Sequence, residues 1–202
     1  MKRMFSAVLL VGAMTSAAMA AEAYKIDKSH SEASFRIRHL MSRVTGRFTD
    51  FDGLVNIDRK RPLSSSVAFT IRTASIDTGE PNRDNHLRSA EFFEVDKYPE
   101  LKFQSTSIKA VGKDTYDVKG NLTMRGVTKP VTVRVDYLGA AKDPMGNERA
   151  GFEVTTKLNR KDYGIVWNKS LDAGGYLLDD VVQVMIEIQA VKQKAGATAT
   201  GR

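Results

Sequence analysis

The sequence predicts an all-β fold, an antiparallel β-barrel of about eight strands with a short helical crossover. Three observations lead there. Apolar and polar residues alternate in ladder after ladder, the breaks between ladders are short and carry turn chemistry, and one stretch, Pro81 to Phe103, is the single long interruption.

The first element is not a strand. Lys2 and Arg3 precede an apolar run from Met4 to Met14, and the segment closes on Ala18-Met19-Ala20, the small-x-small pattern that a signal peptidase reads. Residues 1–20 are therefore expected to be a signal peptide cleaved after Ala20, with Ala23 as a second site. The run falls short of the roughly 20 apolar residues that a membrane-spanning helix needs. The mature protein is expected to be soluble and exported, and a two-residue basic start of bacterial type points to the periplasm.

From Tyr24 the ladders begin. Ala33, Phe35 and Ile37 face one way while Ser34, Arg36 and Arg38 face the other, the period-two signature of a half-buried strand. The same pattern recurs at Val67, Phe69 and Ile71, at Val131, Val133, Val135 and Tyr137, and at Val182, Val184, Ile186 and Ile188. Further strands are expected from Arg47 to Ile57, Leu101 to Ala110, Thr115 to Met124 and Ala150 to Leu158. The turns between them are Asp52-Gly53, Gly112-Lys113-Asp114, Arg125-Gly126 and Asp143-Pro144-Met145-Gly146, where proline and glycine fit a type I turn. Connections this short join antiparallel neighbours. Alternation alone leaves a two-sheet sandwich open beside the barrel. Residues 21–192 read as one domain, and the small, polar residues 193–202 as a flexible tail.

The interruption reads as a short helix. Asn82 can cap it, Asp84 suits its first turn, and Leu87, Ala90 and Phe93 mix with Arg83 and Arg88. It ends by Tyr98-Pro99, since proline disfavours helix at the residue before it. Such a crossover either plugs a β structure or serves as a lid over an apolar interior.

Chemistry is restricted by what is missing. The chain has no cysteine, which removes thiol catalysis, disulfides and Cys-based metal sites. No phosphate loop, nucleotide fingerprint, nucleophile elbow or helical zinc pair is present. The three histidines, His30, His39 and His86, are isolated and read as hydrogen-bonding residues, and Asp179 and Asp180 are adjacent, so on a strand they face opposite sides. No catalytic residue, metal or cofactor is expected. The formal charge of +7 falls to +5 once Lys2 and Arg3 are removed, because no acid leaves with them. A mild excess spread along the chain suits a solvated surface first, weak and transient attraction to a membrane surface second, and nucleic acid last. The aromatics Phe35, Phe48, Phe51, Phe69, Phe92, Phe93, Phe103, Phe152, Tyr163 and Trp167 sit on segments that would converge on one interior. A barrel of about eight strands is either filled by side chains or wide enough for one small elongated ligand.

In order, the motifs SFRIRHL, GRFTDFDG, SIDTG, RDNHLRSAEFF, KYPELKFQST, GNLTMRGVTKPV and RAGFE span most of residues 24–192. Together they resemble the YceI-like family. That resemblance implies a lipocalin-like barrel whose apolar tunnel holds a long-chain isoprenoid lipid, such as an isoprenoid quinone or related amphiphile, in a periplasmic protein that carries, stores or sequesters it. It also implies that homodimers occur. Carried over as lining or mouth positions are Phe35, His39, Phe48, Phe51, Phe69, His86, Leu87, Phe92, Phe93 and Phe103. His39, Arg83 and His86 would orient the headgroup. Two other classes stay open at this point, a lipid-modifying enzyme on the same barrel and an extracytoplasmic module that binds protein or saccharide.

Overall fold

The computed structural model describes residues 21–172 and 174–194. The expected signal peptide and residues 195–202 of the expected tail lie outside the described residues.

Among the described residues one antiparallel sheet contains β1 (Glu22–Ile26), β2 (Glu32–His39), β3 (Ser42–Phe48), β4 (Phe51–Ile57), β5 (Ser66–Arg72), β6 (Ile76–Asp77), β7 (Glu100–Gly112), β8 (Thr115–Met124), β9 (Val127–Lys142), β10 (Glu148–Asn159) and β11 (Leu178–Lys192). Strand β1 pairs with both β4 and β11, which closes an eight-stranded ring in the order β1-β4-β5-β7-β8-β9-β10-β11. Closure gives each of these eight strands a partner on both sides and settles the choice against a sandwich.

The remaining strands prolong ring members past a bend. Beyond a 3-10 turn at Lys28–His30, capped by the Asp27 side chain, β2 continues β1. β3 runs into β4 through Thr49 and Asp50, and β5 runs into β6 through a 3-10 turn at Thr73–Ser75. The registers Ala33↔Phe48 and Tyr24↔Val55 show one long bent hairpin in two halves. The stretch expected as a single strand from Arg47 to Ile57 is therefore broken. Asp52-Gly53, expected as a turn, lies inside β4 opposite Thr70 and Phe69. The glycine is needed for space there, since a Cβ would sit 2.7 Å from the Ala68 carbonyl oxygen.

The other expected turns stand where the sequence placed them. Arg125 and Gly126, at φ 49° and 73°, join β8 to β9, and Asp143 accepts the Gly146 amide at 2.9 Å between β9 and β10.

Helix α1 (Pro81–Arg88) stands at one end of the barrel, between β6 and β7, strands that follow each other in the chain without pairing. Its cap is Glu80 rather than Asn82: the Glu80 carboxylate accepts from the amides of Asn82 at 3.1 Å and Arg83 at 2.6 Å. Pro81 explains the shift, because it forces the preceding residue into extended backbone while fitting the first helical position itself. Residues 89–99 return to β7 as turns, so Ala90 and Phe93 lie beyond the helix.

The packed core includes Tyr24, Ile26, Phe51, Phe69, Ile76 and Ile188. It does not fill the barrel. Val131, Val133 and Val135 of β9 alternate inward yet remain only half-buried, as apolar side chains do when they face a hollow.

Candidate functional site

The hollow is a cavity of about 820 Å³ running inside the barrel from the helical end to the β4–β5 connection. That volume is within the range of about 300–1,000 Å³ typical of small-molecule sites. Aliphatic side chains from β2, β8, β9, β10 and β11 make most of its wall, and aromatic rings are concentrated at the helical end.

The rings are arranged in pairs that leave the axis open. Phe35 and Phe48 stand 5.7 Å apart, and Phe93 meets Phe48 edge-on at 5.8 Å. Glycines opposite let rings lie flat on the wall. A Cβ at Gly46 would stand 2.5 Å from the Phe35 ring, and one at Gly120 would overlap the ring of Phe103. Under α1, His86, Phe92 and Trp167 form a second cluster, with His86 edge-on to Phe92 at 4.9 Å and to Trp167 at 5.0 Å.

Ten of the eleven residues singled out in the sequence line this cavity: Phe35, His39, Phe48, Phe69, Arg83, His86, Leu87, Phe92, Phe93 and Phe103. Phe51 does not. It is buried outside the lining, with its ring 5.7 Å from that of Phe69.

The charged groups on the wall are already engaged. Asp58 accepts the amides of Lys60 and Arg61, and Arg59 donates to Glu22 at 2.7 Å and to the Tyr24 hydroxyl at 2.7 Å, with Glu148 also in contact. Lys102 pairs with Glu100 at 2.6 Å. The Arg83 guanidinium donates to the Thr78 hydroxyl at 2.7 Å and its carbonyl at 3.0 Å, and His86 Nε2 shares a hydrogen with Glu91 at 2.5 Å. Among the described residues the His39 imidazole has no such partner. It stands across from Leu178, which also lines the cavity.

Four contributors of note escape the residue-level reading. Phe152, Tyr163 and Trp167 are among the converging aromatics without being named for the lining, and all three are on it. Arg160 carried no signal at all, since a charged residue after a strand ordinarily faces water. Only 4% of Arg160 is exposed. Its guanidinium donates to the carbonyls of Ile165 at 2.9 Å, Trp167 at 2.6 Å and Asp179 at 2.9 Å, and to Asp180 at 3.1 Å. Burial pulls its pKa down while Asp180 opposes that effect. Its work is to fasten the β10–β11 loop over the cavity. The Tyr163 hydroxyl, nearby on the lining, is buried without a hydrogen-bond partner, and burial raises its pKa.

No group of three or more His, Cys, Asp or Glu side chains suited to a metal occurs among the described residues. His30 is exposed and tied to Asp27 at 2.9 Å, away from the cavity.

Comparison with known proteins agrees with this architecture. A family model described as a YceI-like domain matches residues 24–190. A UPF0312 protein of Pseudomonas putida (strain GB-1) is 46% identical over 199 residues, covering 96% of this chain and 100% of the relative. The protein YceI of Salmonella arizonae is 46% identical over 183 residues, 89% of this chain and 92% of its own. Among solved structures, a YCEI protein of Campylobacter jejuni superposes with a TM-score of 0.67 at 28% identity over 76% of this chain and 88% of that one. A polyisoprenoid binding domain from Saccharophagus degradans, implicated in plant cell wall breakdown, shares the fold at a TM-score of 0.62 and 19% identity, over 84% of this chain and 98% of that domain.

Proposed function

The chain belongs to the YceI-like family, and from that membership and its hollow apolar barrel we propose that it binds and carries a long-chain isoprenoid lipid, an isoprenoid quinone or related amphiphile, in the periplasm. The observation that carries this reading is the cavity of about 820 Å³, walled by aliphatic and aromatic side chains, with Arg59, Arg83 and Lys102 held by neighbouring groups outside the lining. The Saccharophagus degradans domain, named for polyisoprenoid binding, lends support by sharing the fold.

The energetics suit such a ligand. A prenyl chain of about 40 carbons, at roughly 0.3 kcal/mol per heavy atom, gives on the order of 12 kcal/mol, or nanomolar affinity. Apolar burial does the holding. The headgroup falls to His39, whose ring is uncommitted, while Arg83 and His86, already bonded to Thr78 and Glu91, shape the mouth. The reading is one of binding without turnover. The periplasmic assignment rests on the composition of residues 1–20.

The test is mass spectrometry of the organic extract of protein purified without detergent from its native periplasm. A stoichiometric prenyl lipid supports the carrier; a folded, lipid-free protein overturns it. Phe48→Arg places an unpaired charge in the tunnel and is expected to abolish lipid recovery. Val133→Asn, at a half-buried wall position on another strand, is the milder companion and is expected to lower recovery while keeping the fold.

A further inference from the structure

The connection between β2 and β3 has the wrong chemistry for a turn. Two-residue hairpin loops favour Asn, Asp and Gly, which tolerate positive φ, yet here the loop is Leu40-Met41. Leu40 adopts φ 52°, a left-handed conformation that bulky residues rarely enter. Met41 is 98% exposed and Leu40 46%, so packing does not account for either residue. Backbone strain kept at a solvent-facing apolar tip points to a use outside the fold.

The tip does not stand alone. The Leu40 amide donates to the Leu177 carbonyl at 3.0 Å and the Leu177 amide to Lys169 at 2.9 Å, which brings Tyr176, 65% exposed, alongside it. Immediately below, Arg38 and Arg43 stand directly opposite each other across the two strands. Like charges so placed repel. Neither they nor Lys169 enter an ion pair among the described residues, whereas of the two acids beside them at the start of β11 Asp180 is taken up by Arg160 and Lys161 and Asp179 accepts the amides of Asp180 and Val181. Behind the tip, His39 and Leu178 line the cavity.

We propose that Leu40, Met41 and Tyr176, with Arg38, Arg43 and Lys169 around them, form a docking face that seats this mouth of the barrel on an anionic phospholipid bilayer. The two or three apolar side chains enter the headgroup boundary and the unpaired cations take phosphate oxygens, the division of labour by which surface-bound elements hold to lipid. Three apolar side chains ringed by unpaired cations suit a headgroup boundary better than a protein partner, whose stable interface takes roughly 20–30 residues a side. In the β4–β5 connection at the opposite end Arg59 is bound to Glu22 and Glu148 and Arg61 to Asp58, which leaves Lys60 as the one cation there without an ion pair among the described residues. This face belongs to the outer surface and is tested whether or not the barrel holds a ligand, so its failure leaves the carrier reading standing.

The experiment is flotation of the folded protein with phosphatidylglycerol–phosphatidylethanolamine vesicles, against phosphatidylcholine vesicles. Quenching of the sole tryptophan, Trp167 at the mouth, by brominated acyl chains is read in parallel. Partitioning to the anionic vesicles is expected to fall about 30-fold in the double variant R38Q/R43Q, as removal of two surface cations should produce, and to be lost in L40N/M41N, whose asparagine fits the strained turn. The control K60Q/L63N, in the β4–β5 connection at the other end, is expected to bind as wild type and keep the quenching. Equal partitioning of wild type and the tip variants, equal binding to neutral vesicles, or loss in the control alone would overturn the proposal.

Discussion

Gly46 shows how single residues keep this barrel open. It pairs with Phe35 across β2 and β3, and the space where its side chain would be is occupied by the Phe35 ring. Gly46→Val is expected to push that ring toward the axis and to destabilise the fold by about 1–3 kcal/mol through overpacking, read as a lower urea midpoint together with less bound lipid. At this scale the sequence was informative about direction and uninformative about depth. Alternation set Phe35 and Phe69 each on one face of its strand, the family resemblance added Phe48 and Phe103, and all four line the cavity. The resemblance placed Phe51 there too, yet Phe51 is buried in the wall against Phe69, because a shared motif marks a position as apolar and does not record what stands between it and the axis. Arg160 was illegible for a different reason. Three carbonyls from Ile165, Trp167 and Asp179 make its burial tolerable, and they converge only once the chain has folded.

Helix α1 and the turns after it cover the aromatic end of the cavity, and in the proposed carrier they are the element on which exchange would depend. On one side Arg88 donates to the carbonyls of Ala74 at 2.9 Å and Ile76 at 2.6 Å, and buried Asp84 accepts the amide and hydroxyl of Thr78 at 2.9 and 2.5 Å. On the other, Arg125 holds the segment after the helix through the Ala90 carbonyl at 2.6 Å and Glu94 at 3.3 Å. Asp84→Ala leaves the Thr78 donors unsatisfied, at about 1.5–3 kcal/mol for hydrogen bonds to a charged acceptor. Ligand transfer to acceptor vesicles is therefore expected to accelerate about 10- to 100-fold if lid opening limits release, and stopped-flow transfer of a fluorescent prenyl lipid measures it. An unchanged rate would place the limiting step elsewhere. The helix itself was legible from Pro81 and the residues around it. Its cap was misplaced by two residues because Glu80 is not a favoured capping residue, and the geometry imposed by Pro81 outweighs that preference.

At the scale of the molecule, the far end of the barrel is tied by ion pairs that join β1, the β4–β5 connection, β10 and β11. Lys192 and Arg59 donate to Glu22 at 2.5 and 2.7 Å and hold its pKa down to about 2 from the ordinary 4.5, while Tyr24 hydrogen-bonds Glu148 at 2.9 Å and lowers that carboxyl as well. Because folding depresses these values, the stabilisation is complete above about pH 4.5 and is lost as pH falls through about 2. Urea midpoints are expected to drop across that window, and Glu22→Gln to lower the midpoint at neutral pH while flattening the acid dependence; parallel curves for the two proteins would remove Glu22 from the account. The sequence by itself determined the β class, the antiparallel meander, three of its turns and the inward face of most strands, because period-two patterning and turn chemistry are local. Only the tertiary structure decided that β1 closes the ring on β11, that three of the long strands bend and break, that the interior stays hollow, and which polar groups remain uncommitted at its mouth. Those outcomes depend on the register between residues as far apart as Tyr24 and Lys192 and on side chains meeting across the barrel, and no local pattern records them.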